Sequence, residues 1–296
     1  MRLSPQNSNL LRDHLVAMAR RLAPVTVRGL YYQAVISSAL PFITKDKGGA
    51  RTNYRMIQSR VLELRQSGEI PWGCIVDRSR SDYGQPRWVD PAGFAETAPL
   101  YFSLDYWRDQ EIRPLLMVEK AGQVPVYRQH AARHGIDVVA CKGYGSATYL
   151  KDTAEKISSW IDSGQMVQVI VAADFDPSCC DWPRAAQAEI ERHLEQDAVI
   201  WRRELVRIED LARMGDAVAL RAPNPQDTRT RAFLTRHGFT PDQEVCVEMD
   251  AIDPVTARSR LEQVYLDLFD GDLAIQQQLE RDHREAITTA LSGLTG

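Results

Sequence analysis

Long apolar runs are missing from this sequence. No stretch reaches 18 consecutive apolar residues, and Met1 to Leu22 carries acid, Asn and Arg where a secretory leader or a membrane span would be hydrophobic. That pattern predicts a cytoplasmic protein with no membrane partner. Cysteine is sparse and unsuited by spacing to structural duty. Cys74, Cys141, Cys179, Cys180 and Cys246 form no Cys-x-x-Cys pair, which argues against a disulfide framework or zinc knuckle and for free buried thiols in a reducing compartment. There is no internal repeat and no low-complexity tract. What remains is a chain of 296 residues, 44% hydrophobic and 26% charged, which is a globular composition with length enough for two domains.

Charge is unevenly spread. Residues 1–90 hold 14 Lys and Arg against 7 Asp and Glu, whereas the whole chain carries −4. A basic amino-terminal part joined to an acidic remainder fits a nucleic-acid-binding module beside a metal-binding one, and fits a solvated helical domain nearly as well. Residues 241–296 carry 12 acids against 4 Arg, which suits a solvated helical pair or an oligomer contact better than DNA.

Two short runs organise the chain: Leu115-Leu116-Met117-Val118-Glu119-Lys120 and Val169-Ile170-Val171-Ala172-Ala173-Asp174-Phe175-Asp176-Pro177. Each is almost continuously apolar and ends in carboxylate, the pattern of a strand buried on both faces that delivers acid at its carboxyl edge. Between them lie helical periodicity at 123–134, an apolar run at 136–140 and further helical periodicity at 147–161. Strand, helix, strand, helix, strand predicts a parallel sheet, with Glu119 brought beside Asp174 and Asp176. Three converging carboxylates suit a hard divalent cation, magnesium being the usual one.

Upstream, Ser8 or Asn9 is placed to cap a first helix, in which Leu11, Leu15, Met18 and Leu22 recur until Pro24. Thr26 is placed to cap a second over 27–38, and Thr52 or Asn53 to open a third with Tyr54, Ile57, Val61 and Leu64 on one face. Arg51 and Arg55 lie off that stripe. Ile70 to Val76 reads as extended. Three helices followed by extended structure is the order of a winged helix, and also that of a plain three-helix bundle. Residues 77–113 hold Arg78, Arg80, Arg87, Trp88, Tyr101, Tyr106 and Trp107 with little periodicity, either a nucleic-acid groove or a packing surface. Three parts result: 1–76, a 77–110 linker, and 111–296. In the last, a helix is expected at 183–194, strands at 199–206 and 245–250, a loop at 221–230, and helices at 254–269 and 273–291.

Glu119 together with Asp174-Phe175-Asp176-Pro177 resembles the Toprim domain of topoisomerases, primases and related nucleases, whose signature is a Glu after the first strand and Asp-x-Asp after a later one. Arg28-Gly29-Leu30-Tyr31-Tyr32, on a helix ahead of it, resembles the A subunit of topoisomerase VI and the meiotic double-strand-break transesterase related to it. Val247-Glu248-Met249-Asp250-Ala251-Ile252-Asp253-Pro254 looks like a segment of compact phage and plasmid relatives. The resemblance implies an α/β chain with a winged-helix (CAP-like) domain, then a Toprim domain with a parallel-sheet core and C-terminal helices. It implies cleavage of double-stranded DNA through a 5′-phosphotyrosyl intermediate, with Tyr32 as nucleophile and Tyr31 as its packing partner. Arg28, one helical turn from Tyr32, would hold the phosphate. Glu119, Asp174 and Asp176 would bind Mg²⁺, for which Mn²⁺ could substitute. Arg51, Arg55, Arg78, Arg80 and Lys120 would contact DNA. A homodimer is implied, the tyrosine of one subunit working with the metal of the other; ATP is not bound by this chain, so either a separate B-type ATPase subunit drives strand passage or the protein only cleaves.

Cys179 stands where Toprim motifs usually carry Gly. Two other activities stay open: hydrolytic cleavage by a Toprim nuclease, and DNA binding without catalysis. Residue types alone do not choose between Tyr31 and Tyr32. His130 and His134 sit i, i+4 without the Glu of a zincin and read as surface histidines. Lys142-Gly143-Tyr144-Gly145-Ser146 is either a phosphate loop or a plain turn.

Overall fold

A computed structural model describes residues 3–45, 50–76, 86–141, 147–195, 197–213 and 221–294. Three helices open the chain, α1 (Pro5–Leu22), α2 (Val27–Ile36) and α3 (Ala50–Gln66), followed by α4 (Pro91–Tyr101). Then come β1 (Ile112–Val118), α5 (Val124–Ala132), β2 (Asp137–Ala140), α6 (Ala147–Asp162), β3 (Met166–Ala172), α7 (Pro177–Glu191) and β4 (Val199–Leu205). Helices α8 (Ile208–Arg213), α9 (Thr230–His237), α10 (Pro254–Leu268) and α11 (Leu273–Leu291) complete it.

The chain is α/β. Its sheet is wholly parallel, in the order β2-β1-β3-β4. From β1 the chain steps outward to β2, then returns across β1 to β3 and β4, so the direction of winding reverses between β1 and β3. A cleft at the carboxyl ends of those two strands is the usual ligand position in such sheets. Both faces of the two central strands are covered, which is why the carboxyl-terminal parts of β1 and β3 read as apolar runs. Leu115 and Met117 face α6 and α7, packing with Leu150, Ile157, Trp182 and Ile190. Leu116 and Val118 face the other way, toward Val126, Tyr127, Leu261 and Tyr265. That second cluster runs without a break into Leu11, Leu15, Leu30 and Ile57 of α1–α3.

Several boundaries differ from the sequence expectation for identifiable reasons. Ser4, not Ser8 or Asn9, caps α1, accepting from the Asn7 amide at 3.2 Å with Pro5 in the first turn. Thr26 caps α2 as expected, its hydroxyl accepting from Gly29 at 2.9 Å. The extended segment expected at 70–76 is interrupted by a 3-10 turn, Trp72–Cys74. The Cys74 amide bonds the Pro71 carbonyl, and Trp72 lies against the Arg65 guanidinium at 4.1 Å. Among the described residues no β-hairpin follows α3, and residues 77–85, with Arg78 and Arg80, lie outside them.

The stretch 77–110 is not irregular throughout. Asp90 caps α4 through the Gly93 amide at 2.8 Å, and α4 packs on α11. Helix α7 begins six residues ahead of the expected Pro183, because Asp176 caps it at Cys179 N (2.8 Å). Pro183 is tolerated inside it. The Cys179 carbonyl, which Pro183 cannot bond, accepts instead from Arg203. The strand expected at 245–250 reduces to single bridges, Phe175 with Val247 and Arg221 with Cys246, then a 3-10 turn, Met249–Ala251. It meets one residue of the loop after β3 and not a strand edge. Helices α8 and α9 carry no strong periodicity and were not expected. No helix among the described residues is long and apolar enough to cross a membrane.

Candidate functional site

The register Val118 opposite Ala172 sets Glu119 and Asp174 at adjacent strand ends. Glu119 accepts from the Asp174 amide at 3.1 Å and from the Cys179 thiol at 3.0 Å. Ligand atoms of Glu119, Asp174 and Cys179 all lie within 4.8 Å of one another, so two of the three sequence-derived acids converge as expected. Asp176 is engaged differently. One oxygen caps α7 and the other pairs with Arg221 at 2.7 Å.

Asp174 is 4% exposed. It accepts from the Met249 amide at 2.8 Å and from the Lys120 ammonium at 2.6 Å. Burial pushes its carboxyl up to about 6 against the pull of Lys120, with Glu119 and Glu248 adding repulsion. Lys120, expected to contact DNA, lies among the acids, 3.1 Å from Glu248 and 3.7 Å from Asp250. Burial alone would lower it, but those three carboxylates hold the ammonium above its usual range. Glu248 goes the other way. Burial would raise it, yet Lys120 and Arg28 bring it down to about 2.

Helix α2 delivers the tyrosine motif to the same place. Thr26 donates to Asp250 at 3.1 Å, Gln33 to the Ala251 carbonyl at 3.1 Å, and Arg28 pairs with Glu248. Gln123, ahead of α5, donates to the same Asp250 oxygen as Thr26. The other Asp250 oxygen is buried without a hydrogen-bond partner among the described residues, its nearest cations being Arg28 and Lys120 at 3.7 Å. The Tyr32 ring lies under Lys45 (4.8 Å) and Arg28 (5.7 Å). Tyr32 is 3% exposed, and burial with Glu248 nearby raises its phenol well above the ordinary value despite Arg28. Tyr31 packs between Tyr32 and Tyr54, at 5.3 and 5.4 Å.

Arg55 is exposed on α3, and the Arg51 side chain lies outside the described residues. Sequence reasoning missed Glu248, Asp250 and Arg203. Glu248-Met249-Asp250 repeats the acid-x-acid pattern of Asp174-Phe175-Asp176 after an apolar run, a signal that could have marked the first two. Arg203, inside β4, bonds the carbonyls of Ala173, Asp174, Val206 and Cys179, fixing the loop that carries Asp174. Nothing in its sequence context marks it.

Glu119 and Asp174 converge with the Cys179 thiol, and Lys120 links Asp174 to Glu248 and Asp250; the two carboxylates suit a hard divalent ion chemically, whereas the thiol suits a softer one. Comparison with protein-family models, curated proteins and solved structures returned no match.

Proposed function

We propose that this protein cleaves DNA by transesterification in the manner of the topoisomerase VI A subunit. The observation that carries the proposal is that the face of α2 bearing Arg28 and Tyr32 is seated on Glu248 and Asp250, beside Asp174 and Glu119, at the switch point of a parallel sheet. A nucleophile motif and an acid cluster far apart in sequence thus share one locus. In the proposed step the Tyr32 oxygen attacks phosphorus, the bond to the 3′ oxygen breaks, the phenol proton is passed to solvent, and the departing 3′ oxygen takes a proton from solvent to leave as a hydroxyl. The product is a 5′-phosphotyrosine that retains the energy for resealing. Arg28 balances phosphate charge. Glu119 and Asp174 would hold Mg²⁺, which supplies charge stabilisation at phosphate and leaving oxygen, while Glu248 and Asp250 hold Arg28 and Lys120 beside them.

A hydrolytic nuclease is the second reading, favoured by one observation: Tyr32 is nearly inaccessible and its phenol is held protonated. The two separate on supercoiled plasmid incubated with protein and Mg²⁺ or Mn²⁺, then quenched in detergent. Transesterification leaves protein on the 5′ ends, lost in Tyr32→Phe and Glu119→Ala and abolished by EDTA. Cleavage that survives Tyr32→Phe, leaving bare ends, establishes the nuclease.

A further inference from the structure

At the end of α5, two histidines read from sequence as surface residues are not on the surface. His134 is 6% exposed and His130 is partly buried, one helical turn apart with rings 4.9 Å from each other and Tyr265 packed against both. Glu262 of α10 supplies the carboxylate that the sequence spacing lacked.

The hydrogen bonding at this cluster is incomplete in a specific way. His134 Nδ1 lies 2.9 Å from the His130 carbonyl, which can only accept, so Nδ1 carries the proton. In the neutral ring Nε2 is then a bare lone pair, and it faces a Glu262 oxygen at 3.3 Å. Two acceptors face each other there unless a positive charge lies between them. His130 Nε2 is buried with no hydrogen-bond partner among the described residues. One ring nitrogen from each histidine and a Glu262 oxygen lie within 4.8 Å of one another. Bonds of about 2.0–2.1 Å to tetrahedral zinc put ligand atoms ~3.3 Å apart, the separation His134 and Glu262 already have. Donation of the second ring nitrogen to a carbonyl is the usual support of a metal-bound histidine. A cavity of about 390 Å³, lined by Val126, Gln129, Arg133 and Arg258 among others, borders His130. Arg133 and Arg258 oppose a hard cation held by charge alone, which leaves an ion that bonds imidazole nitrogen.

We propose that His130, His134 and Glu262 bind a zinc-type transition-metal ion that ties α5 to α10. The site is separate from the acid cluster and independent of the proposed cleavage activity.

The test is titration of the metal-stripped full chain with Zn²⁺, beside His130→Ala, His134→Ala, Glu262→Gln and Cys179→Ser, each checked for fold by circular dichroism. With the acid cluster saturated by excess Mg²⁺, one zinc per chain is expected in the wild type and in Cys179→Ser. Affinity should fall in either His variant by more than the ~10–100-fold typical of losing an outer-shell partner, and measurably in Glu262→Gln. The Co²⁺-substituted protein should show tetrahedral visible bands without a thiolate charge-transfer band. No zinc in the wild type overturns the proposal. So does binding that depends on Cys179, or that is unchanged in Glu262→Gln, whose 44% exposed side chain makes it the variant that folds in any case.

Discussion

Lys120 joins the two halves of the site electrostatically. Its ammonium faces Asp174, Glu248 and Asp250, which would otherwise repel one another out of water. Lys120→Met removes the balancing charge and keeps the bulk. Breaking a buried ion pair from one side costs about 3 kcal/mol, so urea denaturation of this variant should show a loss of that order. Added Mg²⁺ should restore more stability to Lys120→Met than to the wild type, since the ion takes the place of the lost charge. Equal effects on both would contradict the proposal that a divalent ion binds at Asp174.

Glu248 gives a prediction with a definite sign. Its folded value lies below its ordinary 4.5, at about 2, so its contribution is fully present above about 4.5 and lost as pH falls through about 2. At roughly 1.4 kcal/mol per pH unit, that is about 3 kcal/mol at neutral pH. The stability difference between wild type and Glu248→Gln should therefore be largest near neutrality and shrink as pH drops from 4.5 toward 2. Asp174 has the opposite sign. Raised from 3.8 to about 6, it favours the fold below about 3.8 and loses that contribution as pH rises through about 6.

At the scale of elements, the strand ends position the acids and the helix starts hold them. Asp176 both caps α7 and pairs with Arg221. Asp176→Asn keeps a capping oxygen, whereas Asp176→Ala loses the cap, which is worth about 1 kcal/mol. Thermal denaturation should rank Asn above Ala by about that amount, and equal stability would mean that the Arg221 pair and not the cap matters. The strands β1 and β3, their terminal acids, and helices α1, α2, α10 and α11 were legible because each rests on local periodicity or a cap. What was not legible is held by contacts distant in sequence. Glu248 and Asp250 come to the site on two bridged residues and a 3-10 turn, and Arg203 reaches Cys179 only because Pro183 frees that carbonyl. The histidine and glutamate cluster needed α10 to lie along α5, which no spacing in the sequence encodes.

For the whole molecule, a single hydrophobic cluster runs from α1–α3 into α5 and α10, so the tyrosine-bearing helix and the acid-bearing sheet are packed against each other within one chain. The resemblance implied a tyrosine working with its partner's metal, whereas Tyr32 here adjoins Glu248 of its own chain. Mixing Tyr32→Phe with Asp174→Ala subunits distinguishes these. If the site is complete in one chain, the mixture stays inactive, and if it is shared, about half of the heterodimers' sites recover cleavage.

The most direct measurement is peptide mapping of detergent-trapped protein after nuclease digestion of the bound DNA. The account predicts a nucleotide on the tryptic peptide Gly29–Lys45, with fragmentation assigning it to Tyr32 and not Tyr31. Cleaved DNA with no nucleotide on that peptide would contradict it.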